Sequence, residues 1–185
     1  MTQSTRGRQR NKRVAAKIAE HLGKAPDTTV LLLKGHLIVE EHINYALAGI
    51  FVQAEALNEA RLTFFQKLQV LRALDRFGTA EHWIDAAVKL NRLRNKLAHE
   101  LEPVGIEDGL ATFIKEIGDW PGAKIKKNED IRLKFIRCII HIGSALDAYR
   151  TMYKILGDFA AGYALAKDGR GEELAEIRRV ISETC

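Results

Sequence analysis

The chain has 185 residues, 46% apolar and 29% charged, enough apolar material to build the core of a single domain. Its longest apolar runs are a few residues, too short to span a membrane, and two widely separated cysteines, Cys138 and Cys185, make neither a disulfide framework nor zinc-ligand spacing. The net charge of +5 is concentrated at one end: residues 1–24 carry seven basic side chains against Glu20 alone, while the remainder holds 22 basic and 23 acidic groups.

No basic-then-apolar signal opens the sequence, so a cytoplasmic protein with reduced thiols is expected. The three prolines, Pro26, Pro103 and Pro121, fall between periodic segments, and alternating stretches are few. This pattern predicts an all-α fold, a bundle of antiparallel helices with a basic N-terminal arm over residues 1–24, a body over 25–157 and a C-terminal helical extension over 158–185.

Met1 to Arg10 lacks apolar residues apart from the first methionine and is expected to be disordered in isolation. From about Asn11 to Leu22 a short helix can form, with Val14, Ile18 and Leu22 on one stripe. Arg6, Arg8, Arg10, Lys12 and Arg13 make the arm a candidate phosphate-binding element, because cations gain affinity through counterion release without reading sequence; a solubilising tail is the alternative.

Gly23 closes that helix, and Pro26-Asp27 starts a long one predicted to run to about Leu57. Leu32, Val39, Ile43, Ala46, Leu47, Ile50, Ala54 and Leu57 form its apolar arc, with His36 and Glu40 inside it one turn apart. A third helix, about Arg61 to Arg76, turns Phe64, Phe65, Leu68, Leu71 and Leu74 inward and leaves Lys67 and Arg72 to solvent.

Gly78 ends the third helix and Thr79 can cap the fourth, about Glu81 to Leu101. At roughly 100° per residue, Trp83, Ala86, Ala87, Leu90, Leu93, Leu97, Ala98 and Leu101 gather in one arc. Val88, Arg92, Asn95, His99 and Glu102 gather opposite, so that Asn95 and His99 lie over one another. Arg94 falls inside the apolar arc, and a guanidinium there requires an acceptor. Glu40, with His36, is the expected partner across the helix interface.

Pro103 and Gly105 stop this helix, and Ile106 to Asp119 predicts a shorter amphipathic one. Trp120-Pro121-Gly122 and Lys124-Ile125-Lys126-Lys127 make a basic loop, either a solvated linker or a second nucleic-acid contact. Asn128 is the expected cap of a last long helix from Glu129 to Leu156, with Ile136, Ile139, Ile140, Leu146, Tyr149 and Tyr153 apolar. After Gly157 a Gly-rich stretch leads to a charged helix from Glu172 to Ile181. No phosphate loop, Ser–His–Asp order or His-Glu-x-x-His motif occurs, and the histidines and carboxylates are not at ligand spacing, so no metal or other cofactor is implied.

Arg94-Asn95-Lys96-Leu97-Ala98-His99 fits the Arg-x4-6-His motif of the HEPN superfamily, in the form with Asn directly after Arg. Gly35-His36-Leu37-Ile38-Val39-Glu40-Glu41, Leu62-Thr63-Phe64-Phe65-Gln66-Lys67-Leu68 and Leu90-Asn91-Arg92-Leu93-Arg94-Asn95 follow in an order that resembles HEPN proteins near the mannitol-operon-repressor-like branch, over about Val30 to Leu101. The resemblance implies a HEPN-like helical bundle, a homodimer that brings two motifs into one cleft, and metal-independent RNA cleavage. His99 would be the general acid/base, Arg94 the phosphate clamp and Asn95 the orienting group.

The chemistry suits those residue types. RNA supplies its own 2′-hydroxyl nucleophile, imidazole moves protons near neutral pH, and guanidinium holds developing phosphate charge. The inward bias of Arg94 fits a clamp less well, and Arg92, on the His99 face, is an alternative phosphate contact. The resemblance extends to toxins of toxin–antitoxin or defence systems, which would add an antitoxin or regulatory partner. The alternative that the same resemblance implies is a non-catalytic regulatory or nucleic-acid-binding module like the mannitol-operon-repressor-like proteins.

Overall fold

The computed structural model describes residues 3–51, 53–120 and 122–167, together with 176 and 179; among these every regular element is a helix. The order is α1 (Gln3–Gly23), α2 (Thr28–Ile50), α3 (Ala54–Glu59), α4 (Phe64–Leu74), α5 (Glu81–His99), α6 (Ile106–Gly118) and α7 (Ile131–Lys167).

Local signals account for most boundaries. The Asp27 carboxylate accepts from the backbone N–H of Val30 at 2.8 Å and starts α2. Thr63 and Gln66 form a reciprocal capping box at the head of α4. Gly78 and Gly105, at φ +63° and +75°, take the left-handed turns before α5 and α6 that a side chain would strain.

Other boundaries differ from expectation. α1 begins at Gln3 and not near Asn11, since Ile18 and Leu22 anchor it and propagation costs little once a helix is nucleated. The single helix expected from Asp27 to Leu57 divides at Phe51, whose extended backbone separates α2 from α3. Thr79 gives its hydroxyl to Asp75 and leaves α5 without a side-chain cap. At α7 the cap is Asp130, not Asn128: the Asp130 carboxylate accepts from the N–H of Arg132 at 2.8 Å. α7 then passes straight through Gly157 to Lys167, so the Gly-rich break expected there is absent up to that residue. The predicted helix over 172–181 lies outside the described residues apart from 176 and 179.

The core is centred on α2 and α7. Leu31, Leu32, Val39, Ile43 and Leu47 of α2 meet Phe135, Ile139, Ile142 and Leu146 of α7, with α1 on one side and α4, α5 and α6 on the other. The two helices run parallel, because Gly35 lies on Phe135, His42 on Gly143 and Gly49 on Arg150, in ascending order along both. A uniformly antiparallel bundle is therefore not formed. A short loop forces neighbours in sequence to reverse, whereas α2 and α7 are separated by four other helices and are free to align.

Candidate functional site

The helix that carries the motif is held on three sides. Trp83, Ile84, Ala86, Ala87 and Leu90 of α5 are buried, Leu93 packs over Gly109 at the start of α6, and Lys89 bonds Glu116 of α6 at 2.6 Å. On α4, Arg72 bridges to Glu81 and Asp85, at 3.0 and 2.7 Å, so it is not simply solvated. The apolar arc ends sooner than its periodicity suggests: Ala98 is exposed and Leu101 lies wholly in solvent, beyond the last turn. Phe65, expected inward on α4, is also exposed, because the buried side of this short helix is carried by Phe64, Leu68 and Leu71.

Between α2, α4 and α5 lies a polar layer. His36 is 5% exposed; its Nε2 lies 3.0 Å from Asn91 Oδ1, and its ring sits on Phe64 with centroids 4.3 Å apart. Burial holds this imidazole below its ordinary pKa, while the bond to Asn91 and the charge of Glu40 oppose that shift and the charge of Arg94 adds to it. Glu40 and Arg94 thus both act on His36, but they do not pair. The Glu40 carboxylate takes Lys67 Nζ at 2.8 Å, with the two side chains 28% and 17% exposed.

The expected Glu40–Arg94 bridge is therefore replaced by Glu40–Lys67. The reason is one of register: Lys67 stands one turn after Phe64 on α4, on the flank that faces α2. Its position beside Phe64, Leu68 and Leu71 was the available signal. Asn91 was legible in the same way, as the polar residue one turn before Asn95.

Arg94 is half-buried, and its guanidinium donates to Asn95 Oδ1 at 3.3 Å. Asn95 is half-buried, while Arg92 and His99 are exposed. Among the described residues His99 has no hydrogen-bond or ion-pair partner and Arg94 has no carboxylate within 4 Å. The last turn of α5 thus presents an uncommitted imidazole, with an arginine and an asparagine bonded to each other one turn behind it.

Beside it an open depression is lined by Thr28, Thr29, Leu97, Pro103, Glu107 and Asp108. Its acidic edge repels a phosphodiester, so any RNA path would run along the Arg92–His99 face instead.

Among the described residues the basic arm is not part of this constellation. α1 packs on α7 and α2 and makes no contact with α5 among the described residues. Lys12 and Arg13 are exposed on it, and the side chains of Arg6, Arg8 and Arg10 lie outside the described residues. His141 is packed against Trp120, with centroids 5.7 Å apart, and burial lowers its pKa. No family model, curated protein or solved structure matches the chain.

Proposed function

We propose that the chain is a metal-independent endoribonuclease of the HEPN type, with a site completed by a second copy. The observation that carries this reading is the chemistry left unspent at the end of α5. Among the described residues the exposed His99 imidazole has no partner, and the Arg94 guanidinium is held only by Asn95 and neutralised by no carboxylate. A guanidinium that no carboxylate neutralises keeps its charge and its fork of donors for an incoming phosphate.

In the proposed step the 2′-oxygen attacks the adjacent phosphorus and the bond to the 5′-oxygen breaks, leaving a 2′,3′-cyclic phosphate and a 5′-hydroxyl. One His99 takes the 2′-hydroxyl proton, His99 of the second copy returns a proton to the departing 5′-oxygen, and Arg94 carries the charge on the equatorial oxygens. Asn95 orients the guanidinium through the bond it already makes. A toxin in a toxin–antitoxin or defence system, countered by a dedicated partner protein, is the biological setting that suits such an activity.

A non-catalytic regulatory or nucleic-acid-binding module is the second reading. It is favoured by one observation: Arg94 is half-buried and acts electrostatically on His36, so part of its role is spent inside the helix interface.

The test is incubation of the purified chain with single-stranded RNA in EDTA. Cleavage by the wild type that falls about 10²–10⁴-fold in His99→Ala and about 10²–10³-fold in Arg94→Ala supports the nuclease. RNA bound but cut by none of the three establishes the module instead.

A further inference from the structure

On the face formed by α6, the basic loop and the start of α7, an open groove has an apolar floor and a cationic rim. Ile114, Ile125 and Ile131 supply the floor, with Ile131 41% exposed. Lys115 of α6, Lys126 and Lys127 of the loop, and Lys134 of α7 supply the rim. Among the described residues none of these four ammonium groups has a carboxylate within 4 Å.

The acid that could have neutralised them is already engaged. Glu129 takes Arg137 in a two-pronged bond, 2.7 Å at each oxygen, and accepts the Lys126 backbone N–H at 3.4 Å; the Arg137 bond leads in holding its carboxyl below the usual range, and the charge of Lys126 adds to it. Asp119 is the single acid among the lining residues, set against four cations.

Three elements thus hold four like charges around an apolar surface that water covers poorly. An occupant with carboxylates on one side and aliphatic side chains on the other would relieve both costs at once. Nucleic acid suits the groove less well, since no aromatic ring lines it for a base to stack on. Trp120, the nearest candidate in sequence, is packed between His82 and His141. A membrane surface suits it less well too, because a concave floor cannot insert into lipid as a protruding apolar edge does.

We infer that this groove docks an acidic amphipathic peptide segment of a partner protein, aliphatic side chains on Ile125 and Ile131, carboxylates against Lys115, Lys126, Lys127 and Lys134. The site is independent of the ribonuclease reading, since none of these residues belongs to the Arg94–His99 turn.

The test uses the full chain and a fluorescein-labelled helical peptide of Glu, Ala and Leu with its leucines on one face, followed by anisotropy at low salt. Lys115→Glu/Lys134→Glu should weaken binding by about tenfold or more. Replacing the peptide's glutamates by lysines should restore binding to that variant and abolish it with the wild type. Arg76→Glu/Lys154→Glu, which changes net charge equally on α7 and the α4–α5 turn, should leave the affinity within about twofold. Ile131→Ser, which removes the apolar contact and adds no charge, should also weaken binding.

Equal loss in the remote double variant, or no loss in the groove variants with unaltered helical circular dichroism, overturns the proposal. So does a groove variant that loses single-stranded RNA or phosphatidylglycerol vesicles while keeping the peptide.

Discussion

Two charged neighbours compete for the same small volume around His36, and the competition decides which residues are free to work. Glu40 is claimed by Lys67, so Arg94 is not tied down as a structural ion pair. A double-mutant cycle should therefore give coupling of about 1–2 kcal/mol for Glu40→Ala with Lys67→Ala. That lies between the values for exposed and fully buried pairs. For Glu40→Ala with Arg94→Ala the same cycle should give about 0.5 kcal/mol or less. Urea melts measure both, and a larger Glu40–Arg94 term would reinstate that bridge.

The buried imidazole of His36 and the half-buried ones of His42 and His141 give the molecule an acid sensitivity. Burial is the leading cause that holds His36, His42 and His141 below the ordinary histidine pKa. In each case the unfolded chain binds a proton more readily than the folded one. The stability of these neutral rings is therefore complete above about pH 6.5 and is lost as pH falls from there towards the depressed folded values. The midpoint of thermal unfolding should drop between about pH 7.5 and pH 5.5, and His36→Leu should reduce the slope. A flat profile would mean that the rings are already solvated.

At the scale of elements, the parallel approach of α2 and α7 depends on residues with little or no side chain. A Cβ at Gly35 would stand 2.6 Å from Cζ of Phe135, in the middle of the core. Gly35→Ala should thus destabilise by about 1–3 kcal/mol through overpacking, overriding the roughly 1 kcal/mol that alanine otherwise gains in a helix. At Gly23 nothing lies within 4 Å of the same added atom, so Gly23→Ala there should be neutral or mildly stabilising. Thermal melts of the two variants separate crowding from propensity. Similar losses in both would remove the close-packing account.

For the whole molecule, the nuclease reading requires two copies. Leu101 is fully exposed and Val104 is 79% exposed, both just beyond His99, and apolar side chains at this point suit a contact that would bring two such turns together. The wild type should sediment as a dimer at micromolar concentration, and Leu101→Asp should shift it towards monomer while lowering RNA cleavage in step. A wild-type monomer that still cleaves RNA would show that one copy suffices.

How much of this was legible in the sequence follows from the range of the forces involved. Periodicity determined that the chain is helical, and the cap at Asp27, the turns at Gly78 and Gly105 and the buried stripes of α2, α5 and α7 were readable, whereas the Thr63 cap was not, since the third helix was expected to begin at about Arg61. Each of these depends on residues within a turn or two of one another. The sequence also placed Arg94, Asn95 and His99 together, since a single helix spans them. Tertiary structure alone decided that α2 and α7 run parallel, that Lys67 and not Arg94 meets Glu40, and that lysines from three elements ring one apolar groove. Such outcomes depend on which helix faces come to lie against each other, and a local pattern holds no record of distances between segments far apart in the chain.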